Sequence, residues 1–275
     1  MSATADTTTP AVVVGNPAAH LSPELRAGLF EYLLGLGDDA LILGHRLSEW
    51  CGHAPILEED IALANIALDC LGQATAWLRL AGLVEGKGRS EDTLAYFREA
   101  REFRNCHLVE QPRGDFGFTI TRLFLHSVFA HLNLKALEQS SLAEVAAIAA
   151  KSGKEVRYHV RHSSEWMRRL GDGTEESHRR VATSVDELWS FVDELFTADT
   201  RIAPLTVAGI VTNPSALRPE WNRLVSEVLA SATLTAPEKT TYSAKGGRSG
   251  FHSEHLGLLL AEMQILARSH PGATW

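Results

Sequence analysis

The stretch KEVRYHVRHSSEWMRRLGDGT, residues 154–174, predicts the second half of a long helix that ends at a glycine turn. Glu155, Tyr158, His159 and His162 recur in it at helical spacings of three and four residues, so we expect them to form one stripe facing inward. In four-helix bundles that bind two iron ions, two helices each supply a Glu-x-x-His pair from such a stripe. Here the third residue after Glu155 is tyrosine, which indicates the architecture of a di-iron protein with a broken ligand set.

Helical segments account for most of the chain. Ser22 and Pro23 form a typical helix start, and acidic residues cluster at several other predicted N-termini. No segment alternates as a strand would, so the chain is predicted to be all-α, a four-helix bundle with additional helices. The predicted helices span about residues 23–50, 57–82, 91–103, 118–139, 142–170, 174–196, 219–230 and 253–269.

The predicted domain organisation is simple. Residues 1–22 are expected to form a flexible N-terminal tail, and residues 23–275 a single helical domain. Within it, residues 23–197 form the core and residues 198–275 a C-terminal extension. The glycine-rich basic loop at residues 245–250 lies outside a strand–loop–helix context, so we expect it to be a solvated connection.

Composition excludes several classes of function. The formal net charge of −8 argues against nucleic acid or an anionic membrane surface as the main partner. No continuous apolar run approaches the ~20 residues of a membrane span, and the N-terminus does not resemble a secretory signal. Cys51, Cys70 and Cys106 are far apart in sequence, which favours reduced, buried thiols in a cytoplasmic protein.

The remaining helices fail to complete a di-iron ligand set. In the second helix Asp69 is followed three residues later by Gly72, and Gln73 offers only a neutral polar group. The middle of the third helix carries His126 and His131 where a bridging carboxylate is needed. The first helix offers Asp38, Asp39, His45 and Glu49 as candidates.

A working metal centre is therefore not expected. The one literal Glu-x-x-His pair, Glu175 and His178, falls in the first turn of a helix, where capping and dipole interactions explain it. The inward stripe is better explained as a buried polar network, for which Arg46, Arg157 and Arg161 are candidate partners. We assign no catalytic residue and no metal, and predict a degenerate metal-site core of Glu49, Asp69, Gln73, Glu155, Tyr158, His159 and His162.

Five long blocks carry a family resemblance. They are residues 44–74, GHRLSEWCGHAPILEEDIALANIALDCLGQA; 101–105, REFRN; 108–120, LVEQPRGDFGFTI; 154–180, beginning KEVRYHVRHSSEW; and 255–275, HLGLLLAEMQILARSHPGATW. They resemble the family of C subunits of bacterial phenylacetyl-CoA 1,2-epoxidases. The resemblance implies a ferritin-like, non-catalytic subunit of a multicomponent oxygenase in aerobic phenylacetate breakdown.

The same resemblance implies the partners. A related catalytic partner, the A subunit, would hold the di-iron centre and epoxidise the ring of phenylacetyl-CoA. A reductase with FAD and an iron–sulfur cluster would supply electrons from NADPH, and a small subunit would help assembly. This chain would carry no cofactor, and a homodimer within the hetero-oligomer is compatible with the resemblance.

Two alternatives remain open from the sequence. The chain could itself be a di-iron oxygenase subunit with an unusual ligand set of Glu49, Asp69, Glu155 and His159. It could also be a stand-alone helical binding module without an oxygenase partner.

Overall fold

A computed structural model describes residues 15–198, 200–238, 240 and 242–273 of the chain. Helices, short 3₁₀ turns and loops make up this described part, which contains no strand, so the all-α prediction is confirmed. The helices are α1 Pro23–Ser48, α2 Leu57–Glu85, α3 Glu91–Tyr96, α4 His107–Glu110, α5 Phe116–Leu137, α6 Ala143–Gly171, α7 Glu175–Trp189, α8 Ile202–Val207, α9 Arg218–Ser231 and α10 Glu254–Ser269.

Local capping explains where the long helices begin and end. The Ser22 hydroxyl accepts a hydrogen bond from the backbone N–H of Leu25 at 3.3 Å, and Pro23 occupies the first turn of α1. Asp115 caps α5 in the same way through the N–H of Phe118, at 2.8 Å. Helix α2 ends at Gly86, whose φ of 72° is the left-handed conformation that glycine adopts without strain.

Four long helices form the core. Helices α1 and α2 pack against each other along their length as one hairpin, and α5 and α6 form the second. Helix α2 also contacts α6, while α7 and α9 cover α5 and α6. The apolar interior of this bundle is continuous with the side chains of α9 and α10, so the added helices share its core.

The observed helices differ from the predicted ones where contacts with distant residues, and not the local sequence pattern, determine the backbone conformation. The predicted helix over residues 91–103 stops at Tyr96. The following residues, 97–106, form a strap with one 3₁₀ turn, Ala100–Glu102, that crosses α1. Arg98 in this strap forms a buried ion pair with Asp38 of α1. The predicted helix over residues 174–196 ends at Trp189, and α4 and α8 were not predicted.

The described part of the predicted tail packs on the domain. Residues 1–14 lie outside the described residues. Ala18 is fully buried, and the Asn16 side-chain amide donates to the carbonyl of Val84 at 3.2 Å. Residues 15–22 therefore belong to the folded domain, contrary to the predicted flexible boundary at residue 22.

The predicted solvated loop at residues 245–250 is instead inserted between core elements. The N–H of Gly247 donates to the Glu194 carboxylate at 2.7 Å, and the Arg248 guanidinium binds Asp39 of α1. Gly246 and Gly250, with φ of 107° and 81°, allow the chain to turn sharply on both sides of Arg248. The prediction was wrong because Gly246 and Gly250 let the loop place Arg248 against Asp39. No local sequence pattern indicates this ion pair.

Two smaller expectations have mixed outcomes. Cys70 and Cys106 are buried, but Cys51 is exposed at the turn after α1; all three are free thiols. His178 contacts the carbonyl of Gly171 through its Nδ1 atom at 2.7 Å, in keeping with the structural explanation of the Glu175–His178 pair.

Among the described helices, α2 alone is long and apolar enough, by length and composition, to cross a membrane. The sequence had indicated no segment of that kind, since Asp and Arg residues interrupt the apolar run. Helix α2 packs along α1 and against α6, as a core helix of a bundle does.

Candidate functional site

Three polar pairs join α2 to α6. They are Glu59 with His162, Asp69 with His159, and Gln73 with Glu155. The nearest polar atoms in each pair lie 2.9–3.1 Å apart. Rising residue numbers on α2 pair with falling numbers on α6, so the two helices run antiparallel. Five of the seven residues predicted for the degenerate core are therefore brought together here.

Tyr158 and Glu49, the other two predicted core residues, lie elsewhere. Tyr158 is 38% exposed and stacks its ring on His162, with 5.8 Å between ring centroids. It precedes the core-facing His159 by one position, which is 100° around a helix and outside the inward face. Glu49 caps the end of α1, ten residues or about 15 Å beyond Asp39. Its carboxylate is bound by Arg46 at 2.7 Å.

Of the three predicted arginine partners of the stripe, Arg161 alone is seen in contact with it within the described residues. Arg46 donates to Glu49 and to the backbone carbonyls of Glu110 and His255, all remote from the stripe. The Arg161 guanidinium lies over the ring of Tyr158, 5.4 Å from its centroid. Arg157 lies beside His131 of α5.

The polar groups of α6 face polar side chains of α2 instead. His159 and Glu155 are hydrogen-bonded to Asp69 and Gln73. His162 Nε2 lies 3.1 Å from Glu59 but makes no hydrogen bond.

A small cavity lies between the four core helices. Each long helix contributes polar groups to its lining: Asp39 from α1, Gln73 from α2, His126 and Asn133 from α5, and His159 from α6. The cavity volume is about 40 Å³, enough for water but not for an organic substrate. Apart from Ser127, the rest of the lining is apolar or a thiol, with Leu36, Leu43, Trp77, Phe129 and Val156 among it.

Arg248 neutralises the one carboxylate of this cavity. Its Nη1 and Nη2 atoms lie 2.9 and 2.6 Å from the two carboxylate oxygens of Asp39, a bidentate pair. The N–H of Cys106 donates to the same carboxylate at 2.8 Å, and His126 Nε2 lies 3.7 Å away. Burial alone would raise the pKa of Asp39, but Arg248 and His126 outweigh it and hold that pKa at about 2.

The donor set does not suit a di-iron centre. Asp39, Cys106 and His126 have ligand atoms within 4.8 Å of one another, the one such group among the described residues. A guanidinium cation already occupies both oxygens of Asp39, and burial together with Asp39 raises the pKa of the Cys106 thiol well above its usual value. Asp69 and Glu155, the other carboxylates nearby, are engaged in the α2–α6 pairs. Two iron ions would require four carboxylates and two histidines around the same point.

Two buried glutamates hold the strap and the loop at residues 245–253, the C-terminal loop, against the bundle. Glu110 accepts hydrogen bonds from Asn105, from His252 and from the N–H of Ser253, at 2.7–2.9 Å. Burial raises the pKa of Glu110, yet His252 and Ser253 together lower it below its usual value. Glu194 accepts in the same way from the backbone and ring of His107 and from Gly247.

Sequence reasoning missed these anchors because their partners are distant in the chain. The Glu110–His252 contact joins residues 142 positions apart, and the Arg248–Asp39 contact joins residues 209 positions apart. One local signal was present: Arg248 stands between glycines at positions 246, 247 and 250, a composition that suits a close approach of backbone to a partner.

The α2–α6 junction makes a pH-dependent contribution to stability. Burial lowers the pKa of His162; Glu59 opposes this shift, while His159 and Arg169 add to it. As the pH falls through about 6.5, the unfolded chain protonates this histidine before the folded chain does, so stability decreases. We expect His162→Gln to reduce the loss of unfolding free energy between pH 7 and pH 5, measured by urea denaturation. An unchanged pH profile for His162→Gln would contradict the assignment.

Comparison with known proteins identifies the family. Residues 11–275 match the family model described as phenylacetic acid catabolic protein. A curated relative, the C subunit of the 1,2-phenylacetyl-CoA epoxidase of Escherichia coli (strain K12), is 46% identical over 247 residues, covering 90% of this chain and 99% of the relative. The resemblance seen in the sequence and the ferritin-like helical architecture that it implied are confirmed. The chain belongs to the phenylacetic acid catabolic protein family.

Proposed function

We propose that this chain is the structural, non-catalytic subunit of a phenylacetyl-CoA 1,2-epoxidase, and that it pairs with the di-iron catalytic subunit to stabilise it. The observation that supports this most directly is the bidentate Arg248–Asp39 pair in the centre of the bundle. An arginine of the chain itself supplies the positive charge at the place where a di-iron relative would use metal ions. The subunit would then contribute shape and stability to the complex, while the chemistry takes place in the partner.

The rest of the proposal follows the family. The complex would act in aerobic phenylacetate catabolism and consume O₂ and NADPH to form the ring 1,2-epoxide. The di-iron centre would belong to the catalytic A subunit, FAD and an iron–sulfur cluster would belong to the reductase, and a further small subunit would help assembly. A chain that works with a CoA thioester and NADPH would function in the cytoplasm. No part of the proposal needs a cofactor in this chain.

A second candidate is an oxygenase centre in this chain with Glu49, Asp69, Glu155 and His159 as ligands. The proximity of the last three residues at the α2–α6 junction favours it. Glu49 lies at the far end of α1 and is bound by Arg46, so it would have to be replaced by another ligand. Metal binding would also break the Asp69–His159 and Gln73–Glu155 pairs, leaving Gln73 buried without its partner.

Metal analysis and reconstitution distinguish the two candidates. We expect the isolated chain to retain far less than one iron per chain after purification, and to co-purify with the catalytic subunit when both are expressed. Glu155→Ala should leave assembly and epoxidation by the complex intact. Two tightly bound irons per isolated chain, with turnover when only a reductase is added, would overturn the proposal. Loss of epoxidation in Glu155→Ala without loss of assembly would support the second candidate.

A further inference from the structure

A cavity that opens to solvent lies between α5 and α6. His131, Lys135 and Glu138 of α5 line one side of it, and Gly153 and Arg157 of α6 line the other. Each set is spaced by three or four residues, so its members share one side of their helix. The cavity volume is about 310 Å³, several times that of the internal cavity between the four core helices.

The charged groups of this cavity are not paired with one another or with the rest of the described chain. Lys135, Glu138 and Arg157 are exposed, and within the described residues none of them makes a hydrogen bond or an ion pair. Glu220 of α9 is close enough to Lys135 to interact electrostatically, but its carboxylate is bound by Arg223. Two cations that face the same cavity repel each other, and an anion between them would attract both.

His131 adds a buried polar atom without a partner. Its Nδ1 atom is buried and makes no hydrogen bond to any described residue. Burial, Arg157 and Lys135 lower the pKa of His131, and Glu138 opposes them, so the ring is neutral at pH 7 and carries one N–H. A buried polar atom of this kind is costly unless a water or an ion of the site satisfies the ring.

Gly153 accounts for the position of the Glu138 carboxylate. A Cβ atom at Gly153 would lie 3.3 Å from Glu138 Oε1, closer than an ordinary contact. Gly153 is inside α6 and does not have a positive φ, so no turn requires a glycine there. Glycine weakens the interior of a helix. Here it lets a carboxylate lie against α6 at the edge of the cavity.

The chemistry of these groups selects the ligand. A phosphate group accepts charge-assisted hydrogen bonds from arginine and lysine, and an imidazole N–H adds another. An ionised carboxylate only accepts hydrogen bonds, so Glu138 requires a donor on the same ligand. The O–H of hydrogen phosphate is such a donor. Sulfate and chloride carry no proton at neutral pH, so the carboxylate would repel either ion.

We propose that this cavity binds a phosphate group that retains one proton. Lys135, His131 and Arg157 would donate hydrogen bonds to its oxygens, and Glu138 would accept the hydrogen bond from its O–H. The site is separate from the α2–α6 junction and goes beyond the proposed function, on which it does not depend. Inorganic phosphate suits it best, because hydrogen phosphate keeps a proton at pH 7, whereas a phosphomonoester, with a second pKa of about 6, has mostly lost it.

Calorimetric titration of the isolated full-length chain with inorganic phosphate, at pH 7 and constant ionic strength, tests the site. We expect saturable binding of one phosphate per chain. Arg157→Gln should weaken this binding at least about tenfold, the effect of losing a charge-assisted hydrogen bond. Lys151→Gln is the matched control, because Lys151 is exposed on α6 and loses the same charge. It lies two positions before Gly153, on the opposite side of the helix, so the affinity should not change.

Replacement of Glu138 tests the role of the phosphate proton. The wild-type chain should bind phosphate at least about tenfold more tightly than sulfate, which cannot donate to the carboxylate. Glu138→Gln should remove this preference, since an amide N–H donates to an unprotonated oxygen. Methyl phosphate distinguishes the two sources of a phosphate group. Weaker binding than inorganic phosphate assigns the site to the free ion, and tighter binding assigns it to a phosphomonoester.

Three results would overturn the proposal. One is the lack of saturation at millimolar phosphate. Another is an equal loss of affinity in Arg157→Gln and Lys151→Gln, which would indicate a diffuse attraction to the basic side chains of α6. The third is equal binding of phosphate and sulfate by the wild type. Neither Arg157 nor Glu138 forms an ion pair with a described residue, so the unfolding midpoint of each variant should equal that of the wild type. This comparison separates loss of the site from loss of the fold.

Discussion

Replacement of Arg248 by methionine should destabilise the protein by about 3 kcal/mol, the lower part of the range for breaking a buried ion pair. The lower part applies because the Arg248 side chain is one-quarter exposed, whereas Asp39 is 6% exposed. The variant leaves the Asp39 carboxylate inside the bundle with the N–H of Cys106 and His126 as its remaining polar neighbours. Urea denaturation at pH 7 measures the effect.

The pH dependence of this loss has a defined sign. In the wild type the pKa of Asp39 is lowered to about 2, so the ion pair stabilises the fold above pH ~4 and this contribution is lost as the pH falls toward 2. In Arg248→Met, burial raises the pKa of Asp39, and the penalty grows as the pH rises. The difference between the two proteins should therefore be largest at neutral pH and shrink in acid.

Two further variants make the Arg248 result specific. Asp39→Asn in the Arg248→Met background removes the unpaired charge and should recover much of the lost stability. Arg223→Ala, which removes an exposed arginine paired with Glu220 and Glu227 on α9, should cause no measurable change. A buried ion pair predicts a loss of several kcal/mol on removal of one partner. If Arg248→Met lost less than about 1 kcal/mol, or if Asp39→Asn restored no stability, the pair would not stabilise the core.

Replacement of Gly250 by alanine should have the second largest effect. Gly250 has a φ of 81°, and a Cβ atom there would overlap the backbone oxygen of Arg101. The left-handed backbone costs an alanine about 1–2 kcal/mol, and the clash with backbone forces the loop to move. Since Arg248 is two residues away, the movement also disturbs its contact with Asp39. We expect a loss of at least about 2 kcal/mol in urea denaturation.

A double-mutant cycle links this prediction to the first. If Gly250→Ala displaces Arg248 from Asp39, the double variant with Arg248→Met should lose less stability than the sum of the single losses. Gly257→Ala is the matched control, because a Cβ at Gly257 in α10 meets nothing within 4 Å. It should be neutral or slightly stabilising. Strict additivity of Gly250→Ala and Arg248→Met would mean that the loop holds its arginine in place despite the strain.

The long helices could be predicted from the sequence because their signals are local. Ser22, Pro23 and Asp115 mark helix starts through contacts within one turn, and apolar periodicity shows which faces are buried. The α2–α6 junction was partly predictable for the same reason, as Gln73 and His159 lie on stripes that each helix defines by itself. The prediction that Tyr158 faces inward was wrong. A stripe of residues spaced by three and four covers a broad part of the helix surface, and Tyr158 lies at its solvent-exposed edge.

The centre of the candidate site was not predictable in the same way. Asp39 and His126 were visible as possible ligands, but nothing near either residue indicates that Arg248 would reach the same cavity. Their contact depends on how the strap over α1 and the C-terminal loop pack together, through Glu110 and Glu194. Such contacts form only when the whole chain is folded. A single sequence contains no pattern that links residues so far apart in the chain.

The order of these anchors along the chain also affects how the protein is made. Asp39 and Glu110 are synthesised 209 and 142 positions before their partners Arg248 and His252. Until those partners follow, the nascent chain holds two carboxylates that are costly to bury alone, so we expect the core of the bundle to close only after residue 252 has been made. A chain that terminates before residue 246 would retain every long helix of the bundle and still lack the charges that allow them to pack.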